Sequence, residues 1–115
     1  MDYRYLDIER AMGYMGDVQG VKDMLSVLCV TLKAELPKMH ERIHANDLPS
    51  LQKSLHSLKG FIPIFCIQAL ADQLVALERM AHAEESKDFQ TQCEALWTGI
   101  AVLLKEAENY LAKQL

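Results

Sequence analysis

Residues 21–43 read VKDMLSVLCVTLKAELPKMHERI, and their apolar positions decide the fold. Val21, Leu25, Leu28, Leu32, Leu36, Met39 and Ile43 recur at spacings of three and four. That is the period of a helix with one buried face, sustained over about seven turns. Asp17 stands where an N-cap belongs, and Pro37 falls inside the pattern, where it is expected to kink the helix or divide it. Upstream, DIERAMGYM (7–15) reads as a short helix that Asp7 caps and that ends near Gly13 or Gly16.

Downstream, HANDLPS (44–50) is a short break. Asp47 is a good cap, and Pro49 falls in the first turn of the next helix, where its missing N–H costs nothing. That helix carries Leu48, Leu51, Leu55, Leu58 and Ile62 and is expected to end or bend at Pro63. Ile67, Leu70, Leu74, Leu77 and Ala81 define another. Residues 82–88 (HAEESKD) make a polar turn, and a last helix follows Phe89, Cys93, Leu96, Ile100, Leu103, Ala107, Tyr110 and Leu111. No stretch alternates with period two for long, and no Asn-Gly or Asp-Gly hairpin turn occurs. Short connections favour antiparallel neighbours. The expected fold is all-α: an antiparallel, up-and-down four-helix bundle with a short N-terminal helix across one end, in one domain over residues 1–115.

Composition narrows the function. Half of the 115 residues are hydrophobic, enough for one core. The net charge of −4, with Lys and Arg scattered, argues against nucleic acid as partner. Cys29, Cys66 and Cys93 lie far apart among apolar neighbours and read as buried thiols of a reducing compartment. The polar start is unlike a signal peptide, and no apolar run approaches a membrane span. A cytoplasmic location without membrane association is expected, and Met1 favours a free-standing protein over an excised domain.

Two histidine groups call for weighing. HERIH (40–44) matches H-E-x-x-H, in which two histidines one turn apart bind zinc and the Glu activates water. A zinc hydrolase built on His40, Glu41 and His44 also needs a third ligand and an open coordination position. At ~100° per residue, Glu41 points opposite the buried stripe and both histidines flank it, so a solvated helix face explains the match and no metal site is expected. The second group is LHSLKGFIPIF (55–65). By the same arithmetic His56 lies ~120° from the centre of its stripe, at the surface or its boundary. Lys59 lies nearer the stripe, where its stem can rest on apolar surface. Gly60 would give an open floor beside the imidazole. An exposed His, a solvated Lys and a chance Gly would account for the same spacing.

The bundle together with HSLKGFIPIFCIQALADQLVALE (56–78) resembles the histidine phosphotransfer (HPt) domains of phosphorelays. In that motif Lys and Gly follow the His at +3 and +4, with a small residue near +10 and Leu at +14. Here these are Lys59, Gly60, Cys66 and Leu70, and Leu77-Glu78 matches the Leu-Glu pair that often closes the next helix. LDIERAMGYMGDVQGVKDML (6–25) is similar to the family's entry and first bundle helices.

The resemblance implies that His56 accepts a phosphoryl group from a receiver-domain aspartate and passes it to another receiver. Lys59 would supply positive charge and Gly60 room for approach. The partners implied are receiver domains of response regulators or of a hybrid sensor kinase, meeting a monomer. The chain itself would need no cofactor, because Mg²⁺ would come with the receiver, and it lacks any ATP loop for autophosphorylation.

Gln52, Lys53, Phe61, Pro63 and Ile64 are expected to line the docking surface, with Ile64 pointing outward if the helix continues. The bulky run 61–65 departs from the small residues usual in the family. It keeps open a second function, a non-catalytic adaptor that binds a response regulator without phosphotransfer.

Overall fold

The computed structural model describes residues 3–83 and 88–113. Its elements are α1 (Ile8–Met15), α2 (Val18–His44), α3 (Leu48–Lys59), a 3₁₀ turn (Ile62–Ile64), α4 (Gln68–Ala83) and α5 (Phe89–Lys113). At 1.5 Å per residue, the 27 residues of α2 span about 40 Å, which sets the 43 Å long axis of the molecule. Helix α2 packs along α5 and α3 along α4, and α2–α3 and α4–α5 contacts close the bundle. Helix α1 lies against α2 and the 3₁₀ turn.

One hydrophobic cluster runs through the bundle. All seven apolar positions read from residues 21–43 are buried, as are Leu51, Leu55 and Leu58 of α3, Leu70, Leu74 and Leu77 of α4, and Leu96, Ile100 and Leu103 of α5. Burying each such side chain stabilises the fold by about 1.5–3 kcal/mol, so the stripes and not helix propensity hold the bundle together.

The caps form where the sequence places them. The Asp7 carboxylate accepts from the Arg10 N–H at 3.0 Å, Asp17 from Gly20 at 2.6 Å and Asp47 from Ser50 at 3.3 Å. Gly16 closes α1 at φ 86°, a left-handed conformation that only glycine adopts without strain.

Pro37 does not divide α2, which runs unbroken from Val18 to His44. Leu36 and Met39 on either side of it are buried, and the indole N–H of Trp97 from α5 donates to the Leu36 carbonyl at 2.8 Å. This packing offsets the cost of an interior proline, about 3 kcal/mol or more.

Helix α3 ends earlier than its apolar stripe implies. Pro63 has no N–H to offer the Lys59 carbonyl four residues back, and its ring crowds that carbonyl. The helix therefore closes with tighter bonds, Gly60 N–H to Ser57 O at 3.1 Å and Phe61 N–H to Leu58 O at 3.2 Å. Ile62 still reaches the core, now from the 3₁₀ turn.

The chain start is tied to this connection. The Asp7 N–H donates to Phe65 O at 2.8 Å and the Ile67 N–H to Tyr5 O at 2.9 Å, an isolated bridge centred on Leu6 and Cys66. The Glu106 carboxylate of α5 accepts the N–H groups of Arg4, Tyr5 (2.9 Å) and Leu6 (3.0 Å). The turn expected over 82–88 falls on the end of α4 and on residues 84–87, outside the described residues.

Candidate functional site

Helix α3 is set in register by its Asp47 cap and by Arg42 of α2, whose guanidinium donates to the buried Ser54 hydroxyl. With Leu51, Leu55 and Leu58 turned inward, His56 must project from the opposite side, and its side chain is 73 % exposed. His56 and Lys59 occupy the last turn of α3, where the helix dipole favours positive charge.

Glu78 of α4 joins them. Its side chain is only 9 % exposed, with Oε1 3.2 Å from His56 Nδ1 and Oε2 2.7 Å from Lys59 Nζ. An ionised carboxylate only accepts hydrogen bonds, so the neutral imidazole carries its proton on Nδ1 and keeps its lone pair on Nε2. The Lys59 ammonium holds the Glu78 carboxyl below the usual carboxylate range; burial opposes this and the His56 hydrogen bond adds to it. Glu78 is therefore a charged acceptor at neutral pH, fixing the imidazole ring while leaving its nucleophilic nitrogen outermost.

Two hollows flank this group. Gln52, Lys53, Ser57, His56 and Glu78 line one, and Lys59, Val75, Glu78 and Arg79 the other. Lys53, Lys59 and Arg79 thus give the surface around His56 a positive border. Of the residues picked out in the sequence, Gln52, Lys53 and His56 line the first hollow and Lys59 the second, with Glu78 common to both.

Gly60 is the exposed C-cap residue of α3, not an interior one, and at φ −72° its backbone does not demand glycine. A Cβ there would meet only the Ser57 carbonyl, at 3.2 Å. What Gly60 contributes is open surface at the helix end beside His56.

The residues after Gly60 leave the helix, so the condition for an outward Ile64 is not met. Phe61 and Ile64 are half-buried and pack against the core, because the helix that would have turned Ile64 outward stops at Lys59. Pro63 is half-buried in the 3₁₀ turn, and none of the three lines either hollow beside His56. The bulky run fills the bundle end under the N-terminal segment, with Ile62, Phe65 and Cys66 fully enclosed.

Periodicity did not single out Glu78 or Arg79 as site residues. The one available signal was the Leu77-Glu78 pair. All three cysteines are buried and free; burial pushes the Cys66 thiol up to about 11 and the Cys93 thiol up to about 12, so neither is a nucleophile.

A helical bundle that presents an exposed histidine with its lone pair outward, backed by a buried carboxylate and bordered by cations, has the parts of a phosphotransfer module. Comparison with known families agrees: the family model described as Hpt domain matches residues 23–113, well over half of the chain. The chain belongs to the Hpt domain family, whose work is phosphotransfer with receiver domains in phosphorelays. No curated protein and no solved structure was found to match it. Among the described residues no helix is long and apolar enough to cross a membrane.

Proposed function

We propose that His56 is the phosphoacceptor, taking a phosphoryl group from the aspartyl phosphate of one receiver domain and giving it to the aspartate of another. The observation that carries this reading is the hydrogen bond from His56 Nδ1 to Glu78 on a ring that is otherwise exposed. Nε2 attacks phosphorus, the N–P bond forms, and the aspartate oxygen leaves with the electrons of the broken P–O bond. No proton has to move. The product is an imidazolium-type phosphoramidate whose positive ring charge faces the Glu78 carboxylate, and the second transfer runs the same steps backwards.

Phosphoryl transfer depends on positioning and charge neutralisation more than on covalent help. Lys59 serves both. One of its three N–H donors engages Glu78 and keeps it ionised, and the others are free to meet phosphoryl oxygens. Lys53 and Arg79 extend the positive border toward the acidic pocket of a receiver, and Gly60 leaves room for its rim. The receiver brings the aspartate and Mg²⁺. One copy of the chain suffices, because His56, Lys59 and Glu78 all come from it.

A non-catalytic adaptor that binds a response regulator is the alternative, and the labelling experiment below separates the two; Phe61 and Ile64, the residues that suggest it, are partly buried against the core. The hydrolase reading lacks a site: among the described residues no three His, Cys, Asp or Glu side chains stand together as a ligand set. Incubation with a phosphorylated receiver tests the proposal. Acid-labile label should appear on the wild-type chain and be absent from His56→Gln; equal labelling of that variant removes His56 from the role.

A further inference from the structure

The H-E-x-x-H stretch of α2 takes no part in phosphotransfer, yet its two histidines meet. Positions i and i+4 share one side of a helix, and His44 Nε2 lies 3.2 Å from His40 Nε2. The rings are tilted by 56° with centroids 4.3 Å apart. Nitrogens this close share either a proton or a cation. With metal–nitrogen bonds of about 2.05 Å, a separation of 3.2 Å subtends about 100° at the metal, between the square and tetrahedral angles. The pair already has the bite of a chelate.

Helix α5 forms a wall beside it. Trp97 is fixed by its bond to the Leu36 carbonyl and its ring lies 5.0 Å from that of His40, tilted by 54°, while Gln90 donates to the Ile43 carbonyl at 3.0 Å. These bonds anchor α5 to the last turns of α2. Between the two helices lies a hollow of about 200 Å³ lined by His40, Ile43, His44, Glu94, Trp97 and Thr98. Glu94 brings a carboxylate to the same hollow.

We propose that His40 and His44 form a two-imidazole chelate for a borderline divalent transition-metal ion (Cu²⁺, Ni²⁺ or Zn²⁺), with water completing the coordination. Imidazole pairs suit these ions, whereas Mg²⁺ and Ca²⁺ need oxygen ligands. The nitrogens converge only when the last turns of α2 are helical, so the ion binds the folded chain and stabilises the end of α2 nearest α3. This revises the sequence reading of HERIH as a merely solvated face. It assigns no catalysis to Glu41.

Trp97, the single tryptophan, is a built-in reporter. Tag-free protein titrated with Cu²⁺ should show saturable, one-equivalent quenching of Trp97 fluorescence, reversed by a chelator such as EDTA. His40→Gln or His44→Gln should each weaken binding by at least roughly 10- to 100-fold, the loss that removal of an outer-shell partner alone causes. His56→Gln should leave it unchanged, so this proposal and the phosphotransfer reading fail separately. Zn²⁺ should raise the melting temperature of the wild type and not that of the His40→Gln/His44→Gln double variant. Quenching that never saturates, or that survives both histidine changes, places the metal elsewhere and overturns the proposal.

Discussion

Replacing Glu78 by glutamine removes one negative charge and leaves the shape of the side chain almost intact. The amide oxygen can still accept from His56 Nδ1, so the imidazole keeps its tautomer and its exposed Nε2. Two contacts lose their negative partner: the 3.2 Å contact to His56, which turns cationic on phosphorylation, and the 2.7 Å contact to Lys59, each now made by a cation to a neutral amide oxygen. A hydrogen bond to a charged group contributes about 1.5–3 kcal/mol against about 0.5–1.5 kcal/mol for a neutral one. A loss of about 1.4 kcal/mol in the transition state slows transfer roughly tenfold. Rapid-quench measurement of phosphoryl loss from a labelled receiver reads this directly, with Glu78→Ala as the more severe companion that also frees the ring.

The substitution has a pH signature too. Because the Glu78 pKa is lowered on folding, its contribution to stability is present above the unfolded carboxylate value of about 4.3 and is lost as pH falls through the lowered folded value. Glu78→Gln should remove that acid-limb contribution and be least distinguishable from wild type at the lowest pH. Equal transfer rates for wild type and Glu78→Gln would refute the role of the buried carboxylate.

Lys59→Ala should slow transfer and also lower stability by about 1–3 kcal/mol in urea unfolding, because it strands a buried carboxylate. An unchanged midpoint would show that Glu78 finds another cation. Gly60→Glu should leave the helical circular dichroism intact and weaken receiver binding, measured by calorimetry, through bulk and charge beside His56; unchanged affinity removes Gly60 from the docking surface. Glu106→Ala should strip the acceptor from three backbone N–H groups and release the chain start, seen as faster hydrogen exchange at Tyr5 and Leu6. Protection equal to wild type would mean that the bridge at Cys66 holds the segment alone.

Local rules were enough for most of the fold. The stripes of α2, α3, α4 and α5, and the caps at Asp7, Asp17 and Asp47, follow from spacing and side-chain chemistry within a few residues. Two features were not local. The end of α3 turns on a competition between the apolar position Ile62, which extends the stripe, and Pro63, which denies Lys59 its hydrogen bond. Backbone geometry wins, and Ile62 reaches the core by another path. The Glu78 partnership lies 22 residues from His56 and exists only because α3 and α4 pack side by side. His56, Lys59 and Gly60 were visible as a pattern, but periodicity does not show that a carboxylate from the next helix sets the ring's tautomer. The same holds for the 61–65 run, whose core packing depends on the Tyr5–Asp7 segment lying against it.

The most direct measurement is phosphorus and nitrogen NMR of the chain after transfer from a phosphorylated receiver in Mg²⁺. The expected result is one phosphohistidine, at His56, with phosphorus bonded to Nε2 and the proton retained on Nδ1. Phosphorus on Nδ1, label on another residue, or equal labelling of His56→Gln would contradict it.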